Sequence, residues 1–189
     1  VRGEGICVNT SLCDSVIVNV NALPNIDSET PTDATTCAAA DGTITIVASG
    51  GSGVYTFSID SGSTFQSNGG AYTALAVDYY QVMLDDGNCQ VLGSLLRINS
   101  PDAAPAPLVS NDTSYCDTET VSDLNATGTG GTLNWYSDSV LNNNIGTGAT
   151  YSPSTAVGTT TYYVAETNTG CEGLPASVTV EINATPTVN

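Results

Sequence analysis

Apolar and polar residues alternate in short runs along most of the chain, which is the pattern of β-strands. Residues 43–47 and 55–59 place alternate side chains on one face, and residues 178–182 do the same near the end of the chain. Helical periodicity is almost absent. Glycine-rich turns separate the runs, as at residues 49–53 and 85–88. The pattern therefore predicts an all-β protein built from short strands and tight turns.

A turn that carries a cysteine recurs along the chain at the spacing of one small β-sandwich. Each copy consists of an apolar strand, a polar turn with the cysteine, a second alternating strand and then a proline. The three turns carry Cys13, Cys89 and Cys171, and the intervals between these cysteines are 76 and 82 residues. A fixed period with a repeated strand signature predicts an array of domains.

This period divides the chain into three parts. We expect a leading hairpin over residues 1–23, a first sandwich over residues 24–103 and a second sandwich over residues 104–189. An isolated hairpin is barely stable in water, so the leading hairpin needs a sheet to complete. It is either the last hairpin of a preceding domain in a longer protein, or a donor that adds its strands to a neighbouring subunit. The sequence leaves both alternatives open.

The charge of the chain restricts its partners. Two Lys or Arg residues stand against 19 Asp or Glu residues, which gives a net charge of −17. Such a chain repels phosphate backbones, so we expect no nucleic-acid partner. No apolar run approaches the roughly 18 residues of a membrane-spanning helix, so we also expect no membrane insertion. A hydrophobic content of 40% nevertheless predicts a folded protein rather than a disordered acidic segment.

The composition also argues against catalysis. Histidine and lysine are absent, which excludes a Ser-His-Asp triad, a Cys-His pair and a lysine Schiff base. Paired carboxylates remain as the one familiar catalytic arrangement, and Asp85 and Asp86 are adjacent in the sequence. Because they fall in a predicted turn, a solvated turn explains them better. The sequence predicts no enzyme and no required cofactor.

Six cysteines in a chain without histidine indicate disulfide bonds formed in an oxidising compartment. Zinc is disfavoured because no closely spaced cysteine pairs or histidines are present. Six cysteines allow 15 pairings. We prefer the pairing that makes both sandwiches alike, with loops of about 50 residues each worth about 4 kcal/mol on the chain-entropy model. The predicted pairs are Cys37–Cys89, Cys116–Cys171 and, within the leading hairpin, Cys7–Cys13.

Calcium is a further candidate ligand of the first sandwich. Several aspartates of this unit lie in predicted turns, and carboxylates at a domain junction can hold Ca²⁺ and stiffen an array. No EF-hand loop or Asp-x-Asp-x-Asp sequence is present. The candidate ligands are Asp41, Asp60, Asp85 and Asp86.

Two regions of the chain resemble repeats of very long secreted surface proteins of Bacteroidota. Residues 37–44, 48–60 and 85–89 are similar to the SprB-type repeat of gliding-motility adhesins. Residues 107–186 resemble the Ig-like domain of the same giant proteins, through Tyr115-Cys116, the Gly-Gly-Thr-Leu-Asn-Trp-Tyr segment and Gly170-Cys171-Glu172. The resemblance implies tandem Ig-like β-sandwiches. It says little about what is bound, since such folds are scaffolds.

The resemblance implies a place and a role. It implies export through type IX secretion and display at the cell surface as an adhesin, stalk or filament, with neighbouring Ig-like repeats or identical subunits as partners. Ser15 and Ser139 each lie in an Asp-Ser-apolar triplet, which resembles the short motif for O-glycosylation in this group of bacteria. We therefore predict a non-catalytic extracellular structural segment.

The alternative is a carbohydrate-binding accessory module of a secreted polysaccharide-degrading enzyme. Outward-facing aromatic rings would stack on sugar rings in such a module, whereas inward-facing ones would fill the core. The candidates are Tyr72, Tyr79, Tyr136, Tyr151 and Tyr162.

Overall fold

Every regular element in the described part of the chain is a β-strand. The computed structural model describes residues 20–168 and 170–186. The first unit contains six strands: β1 Pro24–Thr32, β2 Gly42–Gly50, β3 Thr56–Ser58, β4 Ala71–Leu75, β5 Asp78–Asp85 and β6 Gln90–Ile98. They form two antiparallel three-stranded sheets, in the orders β1-β2-β4 and β3-β5-β6.

The core of the first unit lies between these two sheets. Alternation in β2 turns Ile44 and Ile46 inward, and alternation in β5 does the same for Val82 and Leu84. These four side chains pack in one cluster with Phe57 from β3. The remaining buried members of the cluster are Ala34, Tyr72 and Ile98. The period-2 pattern read from the sequence thus predicts the buried faces of this unit correctly.

The second unit contains the remaining nine strands. They are β7 Leu108–Val109, β8 Thr113–Cys116, β9 Leu124–Thr127, β10 Thr132–Tyr136, β11 Asn144–Thr147, β12 Thr150–Tyr151, β13 Gly158–Asn168, β14 Cys171–Glu172 and β15 Ala176–Asn183. One sheet has the order β11-β10-β13-β15-β8, with β14 paired to β13, and the other has the order β12-β9-β7. Strand β8 runs parallel to β15, whereas the other pairs are antiparallel.

Trp135 occupies the centre of the second core. It is fully buried, and its indole nitrogen donates a hydrogen bond to the Gly148 carbonyl at 2.9 Å. The ring of Tyr151 stacks on it at a centroid distance of 5.6 Å. The tryptophan lies on the strand that follows the glycine-rich turn, where sandwich cores commonly hold one large aromatic ring. The other buried members of the cluster are Leu124, Ala126, Leu133, Tyr162, Val164, Val178, Val180 and Ile182.

The two units share a two-sheet plan. In each, a long strand (β5 or β13) lies at the centre of one sheet, and the first strand of the unit (β1 or β7) belongs to the opposite sheet. In the second unit, β8 joins the sheet of β13. This arrangement of packed antiparallel sheets is that of an Ig-like sandwich, and it confirms the predicted all-β fold class. Within the described ranges there is no helix of the length and hydropathy needed to cross a membrane.

A buried carboxylate supports the glycine-rich turn of each unit. In the first unit, Asp86 accepts a hydrogen bond from the Ser52 amide at 2.7 Å, and Gly51 packs so closely on this carboxylate that a Cβ would collide with it. In the second unit, Glu166 accepts from the Thr129 amide at 2.7 Å and from the Gly131 amide. Backbone hydrogen bonds lower the pKa of both carboxyl groups: those of the Cys89, Asn88 and Ser52 amides act on Asp86, and those of the Thr129 and Gly131 amides act on Glu166. Asp86 is only 4% exposed, so its assignment to a solvated turn is wrong.

Candidate functional site

A disulfide bond between the two units dominates their junction. Cys37 lies in the segment between β1 and β2, and Cys171 opens β14 of the second unit. Their sulfurs are bonded, with the Cα atoms 5.3 Å apart and 134 residues between them in the sequence. Cys89 and Cys116 carry free thiols. The predicted pairs Cys37–Cys89 and Cys116–Cys171 are therefore wrong, and the predicted pair Cys7–Cys13 lies outside the described residues.

Strand length explains the correction in the first unit. Strand β6 begins beside Cys89 and ends at Ile98, next to Asn99, whose carbonyl accepts a hydrogen bond from the Ala34 amide. Cys37 is thus at one end of this strand and Cys89 at the other. Nine residues of strand span about 30 Å. A disulfide needs Cα atoms within about 7 Å, so this pair cannot form.

The same reasoning applies to the second unit. Cys116 is the partner of Asn183 at the end of β15, whereas Cys171 lies just before the start of that strand. The eight residues of β15 place the two cysteines about 25 Å apart along the sheet. In both units, therefore, the two cysteines lie at opposite ends of the sandwich.

The chain segment that connects the units is held by side chains of the first unit. The carboxylate of Asp33 accepts a hydrogen bond from the Asn99 amide at 2.8 Å. Asp102 accepts one from the Cys37 amide, also at 2.8 Å, and a second from the Ser100 hydroxyl, which is the main reason that its pKa is lowered. The connection is thus fixed beside the cysteine that crosses to the next unit.

Arg97 crosses the junction from the first unit to the second. It is the only lysine or arginine between residues 20 and 186. One guanidinium nitrogen donates to the carbonyls of Glu172 at 3.0 Å and Gly173 at 2.7 Å, and another donates to the Tyr79 hydroxyl at 3.1 Å. The guanidinium carbon lies 5.0 Å from the centre of the Tyr79 ring, within the range of a cation–π contact.

Close backbone packing completes the junction. Gly173 lies directly against the carbonyl of Ala104 in the connecting segment, and a Cβ at this glycine would collide with it. Ala104 is itself buried. A disulfide, a cation that binds main-chain carbonyls and a glycine contact therefore act together at one place. Such an arrangement can hold two domains in a fixed orientation.

Replacing Arg97 by alanine should weaken the junction without unfolding either core. The change removes three hydrogen bonds from a charged donor, and we expect a loss of about 1–2 kcal/mol in the free energy of unfolding. Arg97→Lys keeps the charge but not the planar, forked donor, so it should restore only part of the loss. Urea denaturation measures both variants. NMR shifts of Glu172 and Gly173 in folded Arg97→Ala must change, and unchanged shifts would contradict the contact.

Each of the four candidate calcium ligands accepts hydrogen bonds from the protein. Asp41 accepts hydrogen bonds from the Thr35 amide and hydroxyl, and Asp85 accepts from the Gly87 amide and Gln90. Asp86 holds its own turn and the glycine turn described above. No group of three or more acidic, histidine or cysteine side chains with metal-binding proximity occurs in the described ranges.

Asp60, the fourth candidate, organises the turn after β3. Its carboxylate accepts hydrogen bonds from the Ser58 hydroxyl at 2.6 Å and from the Thr64 amide at 2.9 Å and hydroxyl at 2.5 Å. These bonds, with that of Ser58 first, lower the pKa of Asp60 from 3.8 to about 2.

Acid should loosen this turn over a defined pH range. Because the pKa of Asp60 is lower in the folded state, its stabilisation is present above pH 3.8 and is lost as the pH falls through about 2. The Thr64 amide resonance should therefore titrate with a midpoint near 2, and Asp60→Asn should abolish the transition. A midpoint near 3.8 would contradict the assigned hydrogen bonds.

Of the candidate glycosylation sites, Ser139 is exposed in the turn after β10, and Ser15 lies outside the described residues.

The candidate sugar-binding rings make contacts within the protein. Tyr72 donates to the Phe57 carbonyl, Tyr136 donates to the Glu172 carboxylate, and Tyr162 is buried in the second core. Burial, followed by the hydrogen bond to Glu172, raises the pKa of Tyr136 to about 12. Tyr151 stacks on Trp135 and Tyr79 lies under Arg97, so all five rings have partners within the protein.

Sequence reasoning missed the roles of Arg97, Asp102 and Gly173. A signal for Arg97 was available, since it is one of only two cations in a chain of charge −17 and stands four residues before Pro101, where the proline-rich connection begins. No comparable signal marks Asp102 or Gly173, because their roles depend on contacts with residues far away in the sequence.

Two family models match the chain, one in each unit. Residues 28–64 match the SprB repeat, and residues 104–186 match an Ig-like domain described as CHU_C associated. The resemblance drawn from the sequence is thereby confirmed for both units. No curated protein matches the chain.

Several solved structures are similar to the chain. The BSP domain of a biofilm-associated protein has 14% identity and a TM-score of 0.31, and it aligns over 85% of this chain and 30% of its own. Immunoglobulin domains 1–4 of Sidekick-1 have 14% identity and a TM-score of 0.35, over 89% and 49%. Extracellular domains 3–5 of Drosophila OTK have 12% identity and a TM-score of 0.26, over 82% and 60%. The chain thus spans less than two thirds of each.

Proposed function

We propose, for a chain composed of an SprB repeat followed by an Ig-like domain, a non-catalytic role as a segment of an extracellular adhesin stalk or filament. Repeats of these two kinds are structural modules of surface proteins, which supports an extracellular location. A stalk holds a distal binding site away from the cell and carries tension. The contacts that matter most for this role are therefore those at the junctions between domains.

The single observation that carries this proposal is the covalent junction between the units. The Cys37–Cys171 bond links the units covalently at their junction, and Arg97 and Gly173 make further contacts there. Two domains that merely share a chain need no such bond, since inter-domain contacts are commonly loose. A cross-link between successive units has a clear benefit in a protein that is pulled along its length.

The charge of the chain supports the same role. A net charge of −17 makes neighbouring copies repel each other at low ionic strength, which keeps surface stalks apart and soluble. We expect type IX secretion and participation in gliding motility on the basis of the SprB repeat.

The location can be tested on intact cells that produce the chain. Antibodies raised against residues 24–186 should label the cells without permeabilisation, and brief treatment with an external protease should remove the signal. Labelling that requires permeabilisation would refute the extracellular role. An antibody that labels the cells should also reduce their attachment or gliding if the segment belongs to an adhesin.

The carbohydrate-binding alternative has less support. The five candidate tyrosines are engaged within the protein, and none presents a free aromatic face that the structure marks as a sugar platform. Specific binding of residues 24–186 to a glycan array would nevertheless select that alternative.

A further inference from the structure

The sequence contains a single Asn-Gly pair, and it lies in the turn that leads into β4. In this turn the Ala71 amide donates to the Asn68 carbonyl at 3.4 Å. The two central residues, Gly69 and Gly70, have positive φ angles of 68° and 80°. Glycine adopts this conformation without strain, whereas residues with a Cβ rarely do, so the turn depends on its Asn-Gly-Gly sequence.

Two hydrogen bonds hold the side chain of Asn68 over the turn. Its Oδ1 accepts the Gly70 amide at 3.0 Å, and its Nδ2 donates to the Ala71 carbonyl at 2.8 Å. A bond from an asparagine side chain to the main chain two residues ahead is typical of turns. Because the Gly70 amide donates to Oδ1, it also stabilises the negative charge that would develop on this oxygen if a nucleophile attacked the side-chain carbonyl carbon.

A nucleophile of this kind is adjacent, in the main-chain nitrogen of Gly69. This nitrogen has no hydrogen-bond acceptor in the described part of the chain, whereas the amides of Gly70 and Ala71 both donate within the turn. Gly69 is exposed, and apart from its chain neighbours no heavy atom lies within 4 Å of the position that a Cβ would take. The nitrogen is therefore unhindered and breaks no hydrogen bond when it attacks.

Asn88 lies in an exposed turn of the same unit but lacks this arrangement. The nitrogen that would attack its side chain belongs to Cys89, and it donates a hydrogen bond to the Asp86 carboxylate at 2.7 Å. Attack would break this bond to a charged acceptor, and Cys89 carries a side chain that crowds the approach. Asn88 is therefore a matched internal control for Asn68.

We propose that Asn68 is a site of self-modification, at which the side-chain amide is lost as ammonia and a carboxylate takes its place. The reaction needs only water and the residues of this turn. It goes beyond the proposed stalk function and does not depend on it.

In the first step the Gly69 nitrogen loses its proton to solvent and forms a bond to Cγ of Asn68. The bond between Cγ and Nδ2 then breaks, and Nδ2 takes up a proton and leaves as ammonia. Water opens the resulting cyclic imide at either of its two carbonyl carbons, which gives aspartate or isoaspartate. One water molecule is consumed and one ammonia is released for each modified residue, and nothing is oxidised or reduced.

The product alters a turn that is attached to the core of the first unit. The Gly70 carbonyl accepts the Ile46 amide at 2.8 Å, and a Cβ at Gly70 would collide with the Ile46 carbonyl. A carboxylate at position 68 cannot donate to the Ala71 carbonyl, and isoaspartate adds a methylene to the main chain before Gly69. Each modified copy therefore gains one negative charge and a weaker turn beside β2 and β4.

Peptide mapping by mass spectrometry tests the proposal on the folded full chain after incubation at mildly alkaline pH. Peptides that contain Asn68 should gain the mass difference between an amide and a carboxyl group, whereas Asn88 in the same digest should keep its amide. Asn68→Gln should abolish the change, because its longer side chain would have to close a larger ring. Asn68→Asp supplies the reference that separates the aspartate product from isoaspartate.

Two results would overturn the proposal. One is loss of the amide at Asn68 and Asn88 at equal rates, which would show that the arrangement of the turn contributes nothing. The other is modification of Asn68 in the urea-unfolded chain but not in the folded one, which would show that the two side-chain hydrogen bonds protect the residue.

Discussion

Reduction of the Cys37–Cys171 bond should add about 480 Å to the length of the chain when it is unfolded by pulling on its two ends. In the oxidised protein, the force passes through β1, crosses the sulfur bond and leaves through β15. The 134 residues between the cysteines are then outside the path of the force. Since an extended residue spans at most about 3.6 Å, releasing this loop gives the stated length.

Single-molecule force spectroscopy with handles at both ends can measure this difference. The double variant Cys37→Ser and Cys171→Ser is the matched control, and it should extend fully without a reductant. The pairing that makes both units alike would instead release two separate loops on reduction, each of about 200 Å. Two such steps in place of one long one would contradict the bond between the units.

Replacing Trp135 by alanine should unfold the second unit or bring it close to unfolding. The indole is fully buried among the second core residues, and such a truncation typically costs about 3–5 kcal/mol. Small domains have total stabilities of about 5–15 kcal/mol, so the loss is a large share of the whole. The first unit has its own core around Phe57 and should keep its structure.

Two-dimensional NMR can follow the two units separately during urea unfolding. Trp135→Phe is the matched control, since it keeps an aromatic ring against Tyr151 but loses the hydrogen bond to Gly148. We expect it to fall between the wild type and the alanine variant. Equal destabilisation of both units by Trp135→Ala would show that the cores do not fold independently.

The strands and the buried faces could be predicted from the sequence because they depend on local periodicity. Alternation alone identifies Ile44 and Ile46 as core residues of the first unit, and the position after a glycine-rich turn identifies Trp135. Family resemblance then supplies the sandwich, which the sheet orders confirm. These features could be predicted because each depends on residues close together in the sequence and on one buried face of a strand.

The disulfide pairing could not be predicted in this way. Equal spacing shows that Cys89 and Cys171 are equivalent, but it does not show which end of a unit each one occupies. That depends on the direction and length of β6 and β15, which place the two cysteines of one unit at opposite ends. The similarity of the two units favoured one bond within each, whereas the structure has one bond between the two units.

The buried carboxylates were missed for a different reason. Asp86 belongs to an Asp-Asp-Gly-Asn sequence that is typical of an exposed turn, and Glu166 is an isolated acid in an apolar strand. Both are buried because glycine-rich turns from an earlier part of the unit fold over them and donate backbone amides. Comparing the two units would have suggested that the glycine-rich turn of each one contacts the acid near its cysteine.

Arg97 also determines where a trypsin-like protease can cleave the described part of the chain. Between residues 20 and 186 it is the only residue after which such a protease can cut, and it lies within β6, paired with Tyr79 of β5. Cleavage requires local unfolding of that strand and release of the guanidinium from the second unit. Even then, the nick at residue 97 falls inside the loop closed by Cys37 and Cys171, so the two fragments remain attached to each other.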